Sequence, residues 1–174
     1  MRSILKKKDK HGDIISIALF VGFVFAMIIS IVVLTKIFNS VSTTLKATDI
    51  IANDTKAVTQ ITKVETSFVP LVSNIFLFIF FGSIFGIIIS SFFINTHPGF
   101  FIFFLIATII VIVITAIISN VITSFGESAE LVSTWNLYPG IQAIVNNLPL
   151  IILVVAIIVA VILFARPGGS SNQA

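Results

Sequence analysis

The chain has 174 residues, 57% of them hydrophobic and only 10% charged, with ten basic residues, seven acidic ones and a net charge of +3. Soluble domains carry about 25% charged residues, so these few cannot cover a water-facing surface, and a soluble globular fold is excluded. The absence of cysteine excludes disulfides, thiolate metal sites, iron–sulfur clusters and cysteine nucleophiles.

What remains is an integral membrane protein whose spans can be read from the placement of charge. A charged side chain at the centre of an inserted helix costs about 2.5–3.5 kcal/mol, so uncharged intervals delimit the spans. Three such intervals occur, between residues 14 and 36, 66 and 126, and 131 and 165. A bilayer core about 30 Å thick needs roughly 20 helical residues. The second interval therefore holds two spans, with a turn at Asn95-Thr96-His97-Pro98-Gly99, where proline cannot continue a helix and glycine frees the backbone. The expected fold is all-α, with four transmembrane helices over residues 14–38, 69–93, 100–119 and 148–165 in a single domain, 14–165. Runs such as Ile109-Ile110-Val111-Ile112-Val113-Ile114 lack the alternation of a barrel strand.

The first span follows a basic segment, residues 1–13, and its apolar run is longer than that of a signal peptide, which predicts a retained anchor. Along it, Ala18, Gly22, Ala26 and Ser30 recur every four residues and form a small-residue stripe. Such stripes let helix backbones approach closely where lipid removes the hydrophobic drive. Gly82, Gly86 and Ser90 repeat the pattern in the second span, and Ala156 and Ala160 in the fourth. The simplest expectation packs the first two stripes face to face within one chain; the alternative uses one of them between subunits. The third span, with sparser Ala107, Thr108, Thr115, Ala116 and Ser119, is expected to be the most lipid-exposed.

Two outer loops join these spans. The first, residues 39–68, carries Ile37, Val41 and Leu45, then Val58, Ile61, Val64 and Phe68, at helical spacing, which predicts an outward helical hairpin turning at Asn53-Asp54. The competing reading is β, from the Val, Ile and Thr content of residues 55–66. Asn53-Asp54-Thr55 is also a glycosylation sequon, making Asn53 a possible acceptor. The second loop, residues 120–147, contains the only tryptophan and the only tyrosine. Trp135 and Tyr138 are accordingly expected to anchor it among the lipid headgroups. Residues 166–174 read as a flexible tail.

Six basic and two acidic residues would lie on the side of the termini, net +4, and four basic and five acidic on the other, net −1. The positive-inside rule then puts both termini in the cytoplasm. The basic amino end reads as a topology determinant, with no nucleic-acid partner implied. Apart from Lys36, where the first span gives way to the loop, no ionisable residue lies within a span, where intramembrane chemistry would need one. No catalytic, cofactor-binding or metal site is expected, and no cofactor; His11 and His97 have no second ligand at helical spacing. Glu127 and Glu130 read as helix caps.

As a whole pattern, the basic amino end, the charge-free Ile/Phe-rich spans, the Asn95-Thr96-His97-Pro98-Gly99-Phe100-Phe101 hairpin and the Asn147-Leu148-Pro149 entry to a span ending in Ala165-Arg166 resemble the small polytopic membrane proteins of membrane-containing bacterial and archaeal viruses. That resemblance implies a structural role and transfers no functional residues. The expectation is a non-enzymatic structural or accessory protein, multi-pass in a cell or viral membrane, assembling with itself or with other membrane subunits. The alternatives are a holin-like pore-forming oligomer and a noncatalytic subunit of a membrane enzyme.

Overall fold

Where no charge interrupts the chain and water is scarce, the backbone satisfies its own polar groups by forming helices. The computed structural model describes residues 12–93 and 100–164, with side chains from residue 17 onward, and those residues are almost wholly helical. Seven helices follow in order: α1 (Gly12–Ala47), α2 (Asp49–Ala52), α3 (Thr55–Ser91), α4 (Phe101–Gly126), α5 (Val132–Trp135), α6 (Pro139–Asn146) and α7 (Leu148–Phe164). Among the described residues, α1, α3 and α4 are each long and apolar enough to cross a membrane. A fourth span exists if α6 and α7, bent by 63° against each other, are counted as one. The predicted turn at residues 95–99, both histidines, the basic amino end and the tail lie outside the described residues.

The four long helices form a ring in the order α1, α3, α7, α4, so α3 and α4, consecutive in the chain, are not ring neighbours. α1 and α3 run antiparallel, as their paired side chains show: Lys46 with Glu65, Phe38 stacked on Phe68 at 4.4 Å, and Phe20 against Phe80 at 5.6 Å. α4 and α7 are also antiparallel, with Phe104 against Phe164 at one end and the Ser119 hydroxyl donating to the Val145 carbonyl, just before α7, at the other. The core is built from Val21, Val24, Ile28 and Val32 of α1, Phe76, Phe80 and Ile84 of α3, and Ile152, Val155 and Val159 of α7.

α1 and α3 continue well past their apolar portions. At 1.5 Å per residue, the 36 residues of α1 span roughly 54 Å against a bilayer core of about 30 Å. The surplus is the helical hairpin, so the strand alternative for residues 55–66 is set aside. Asp54 caps α3, its carboxylate accepting from the Lys56 and Ala57 amides, which the macrodipole also favours. Near the middle of the hairpin Lys46, with the Ser42 hydroxyl beside it, holds the Glu65 carboxyl below its ordinary range. That small stabilisation is present above the carboxyl's unfolded pKa and fades as pH falls through the depressed folded value.

The third span differs from expectation. α4 continues to Gly126, seven residues past the predicted end, and packs against α1, α5, α6 and α7. It is no more exposed than α3. Its hydroxylated positions, Thr115 and Ser119, are buried, as is Gly126. Glu127 is the C-cap of α4, its amide donating to the Thr123 and Phe125 carbonyls, although the helix dipole there does not favour its carboxylate.

Of the glycines described with their surroundings, Gly126 is the one without room for a side chain. A Cβ built there would stand 2.5 Å from Cδ2 of Trp135 and 2.8 Å from Cε2 and Cγ, meeting the body of a rigid ring. Gly126→Ala should therefore destabilise the fold by about 1 kcal/mol, because overpacking of about 1–3 kcal/mol outweighs the gain in helix propensity. Thermal unfolding in detergent checks this, with a red shift in the emission of the sole tryptophan as its local signature.

Candidate functional site

The features singled out in the sequence separate into a cap at the hairpin end of the bundle and the exposed faces of its helices. The cap is the segment from α5 to the start of α7. Trp135 is 3% exposed and Tyr138 is fully buried, so neither ring sits among headgroups as expected. Both are interior wedges. The indole lies on Gly126, and the Tyr138 hydroxyl pairs with Thr35 Oγ1 of α1 at 2.7 Å. Gln142 Nε2 donates to the Trp135 carbonyl at 2.8 Å, which ties α6 back to α5. Pro149 has no amide to offer the Val145 carbonyl four residues earlier, and Ser119 on α4 donates to that carbonyl at 2.7 Å. These contacts fix the sharp bend at Asn147, whose own Nδ2 donates to the Ala143 carbonyl.

A cleft of about 410 Å³ opens between the outer arm of α1 and α5. Lys36, Asn39 and Ser40 line one wall, and Ser133 and Thr134 the other. Thr43 and Thr44 also border it, but their hydroxyls donate to the Asn39 and Ser40 carbonyls.

On the exposed faces, the small-residue stripes turn out differently from the simplest expectation. Ala18, Gly22, Ala26 and Ser30 are all exposed, and so are Gly82, Gly86 and Ser90. A Cβ added at Gly22, Gly82 or Gly86 meets nothing within 4 Å. The two stripes therefore do not face each other within the chain. The seam between α1 and α3 is taken by larger residues, Phe20, Val24 and Ile28 against Phe76 and Phe80, whose interlocking shapes give more dispersion contact than a glycine groove. Ala156, fully inside, and Ala160, half-buried, are the only members of the predicted set found in the interior. In α4 the interior small residues are Thr115 and Ser119, which were expected to face lipid, and Gly126, which sequence reasoning passed over. They lie on the buried stripe Val111, Thr115, Ser119, Ile122 and Gly126, whose spacing of four, four, three and four was the available signal.

Asn53 stands exposed at the hairpin turn, its Nδ2 donating to the Asp49 carbonyl at 2.8 Å. Among the described residues no group of three acidic or histidine side chains is gathered that could hold a metal.

The Thr35–Tyr138 pair is the polar side-chain contact that binds the cap to α1. Tyr138→Phe leaves the Thr35 hydroxyl buried without its partner and should cost about 1–2 kcal/mol of stability. Thr35→Val in the same background should recover most of that loss, and chemical unfolding of the three variants in detergent measures both.

No protein-family model, curated protein sequence or solved structure is significantly similar to this chain, so the functional reading rests on its own residues.

Proposed function

We propose that this protein is a non-enzymatic structural or accessory subunit of a membrane, multi-pass and built to assemble with itself or with other membrane proteins. One observation carries the reading: seven small residues form two stripes on the outside of α1 and α3, and at Gly22, Gly82 and Gly86 the chain itself leaves the space empty. In lipid, helix association depends on close backbone approach, and a partner helix finds it on such a surface. Large side chains exposed around the stripes, including Leu19, Phe23, Phe78 and Phe85, suit acyl chains or a partner's ridges. The exposed Ile37, Val41 and Leu45 carry an apolar edge up the hairpin, which serves as a second contact outside the bilayer. The resemblance to small viral membrane proteins makes a virion membrane the proposed setting.

The test is assembly. Gly22→Leu and Gly86→Leu touch nothing within the chain, so the monomer should keep its unfolding temperature while higher species fall at least tenfold in crosslinking of intact membranes. Unchanged crosslinking would remove the stripes from any assembly role. Ion flux through vesicles carrying the protein, abolished by Ser30→Leu, would instead mark a pore-forming oligomer.

The orientation we propose, both termini cytoplasmic and the hairpin outside, follows from the basic-residue asymmetry. A cysteine at Thr55 should react with an impermeant label in intact cells, and cysteines at Ser3 and Ser171 should not. The reverse pattern would overturn it.

A further inference from the structure

The cleft between α1 and α5 has a chemistry that the assembly reading does not use. Lys36 is the residue at which the charge-free run of the first span ends, so its ammonium sits where apolar helix gives way to the polar hairpin. It is half-buried, and among the described residues it is in no ion pair, the one salt bridge being Lys46 with Glu65. No carboxylate lines the cleft, so its net charge is positive. The same cleft is lined by neutral donors: the Asn39 amide, the Ser40 and Ser133 hydroxyls, and Thr134, which is 2% exposed. At about 410 Å³ the space is within the ordinary range of small-molecule sites. One cation with several neutral donors and no acceptor charge suits a phosphate, since lysine binds phosphate as a point charge and hydroxyls complete its oxygens.

We propose that this cleft binds a phosphate ester, with Lys36 pairing the anionic oxygens and Asn39, Ser133 and Thr134 donating to them. Its position at the end of a span gives it access both to a lipid headgroup and to a soluble phosphate ester. The inference is independent of the assembly stripes, which lie elsewhere on the helices.

The test uses the full chain in nanodiscs containing equal phosphatidylglycerol and diacylglycerol of the same acyl chains, with retained lipid counted by native mass spectrometry. A second arm titrates glycerol 3-phosphate at constant ionic strength and follows the emission of Trp135, which is beside Thr134 in α5. A headgroup site should retain phosphatidylglycerol over diacylglycerol. Lys36→Gln should cut that preference roughly tenfold, Lys36→Arg should keep it, and Lys63→Gln, on the exposed hairpin, should leave it unchanged. Ser133→Leu, which fills the cleft and leaves every charge in place, should abolish it. A saturable glycerol 3-phosphate response lost in Lys36→Gln, without lipid preference, would support the same site filled from solution. Equal losses in Lys36→Gln and Lys63→Gln, or no response to either probe, would overturn the proposal and leave Lys36 as a side chain snorkelling to the interface.

Discussion

The arrangement of this bundle depends on two hydrogen bonds that cross between helices at its outer end, Thr35 with Tyr138 and Ser119 with the Val145 carbonyl. Apolar contacts alone give a weak preference among arrangements in lipid, because an Ile against a neighbouring helix and an Ile against acyl chains are similarly satisfied. A hydroxyl without a partner in the same place is much worse off. The two bonds therefore select which helices are neighbours, α4 beside α6 and α7, and α1 beside the segment carrying Tyr138. The Gly126–Trp135 contact adds a steric condition, since only a residue without a side chain lets the indole lie flat across the end of α4. Ring order, bend and cleft all follow from how this cap is seated.

Much of the architecture was legible in the sequence because charge is so costly in a span. The charge-free intervals located the helices, and the spacing from Ile37 to Phe68 disclosed the hairpin. Boundaries were less legible. α4 runs on to Gly126 because nothing before that glycine opposes a helix, and its polar residues there, Ser119, Asn120, Thr123 and Ser124, are compatible with one. The fourth span matches its predicted bounds, α7 running from Leu148 to Phe164, but it begins at a bend, since Pro149 prevents α6 from continuing straight into α7.

The side chains at the candidate sites were harder to place, for a definite reason. Composition reports that a residue is small or aromatic but not which way its helix face is turned. Trp135 and Tyr138 have the character of headgroup anchors, and the same character suits a buried ring with one polar atom to satisfy. The stripe at Ala18, Gly22, Ala26 and Ser30 has the character of a helix contact, yet the neighbouring Phe20, Val21, Val24 and Ile28 provide a larger interlocking face toward α3. The bundle closes on its bulky residues and keeps its smoothest surface for the outside. The cleft at Lys36 left no sequence signal, because α1 and α5 are about a hundred residues apart and meet only after α3 and α4 have carried the chain away and back.

The continuity of α1 carries a mechanical consequence. The helix passes from the small-residue stripe as far as Ala47, just short of the hairpin tip, without a proline or a break, and α3 runs alongside it, fastened at Phe38–Phe68 and Lys46–Glu65. A paired rod of this kind resists torsion far better than a jointed loop. A torque applied to the tip would be delivered within the bilayer as a rotation of the Gly22 face, and a neighbour seated on that face would in turn set the angle at which the tip is presented.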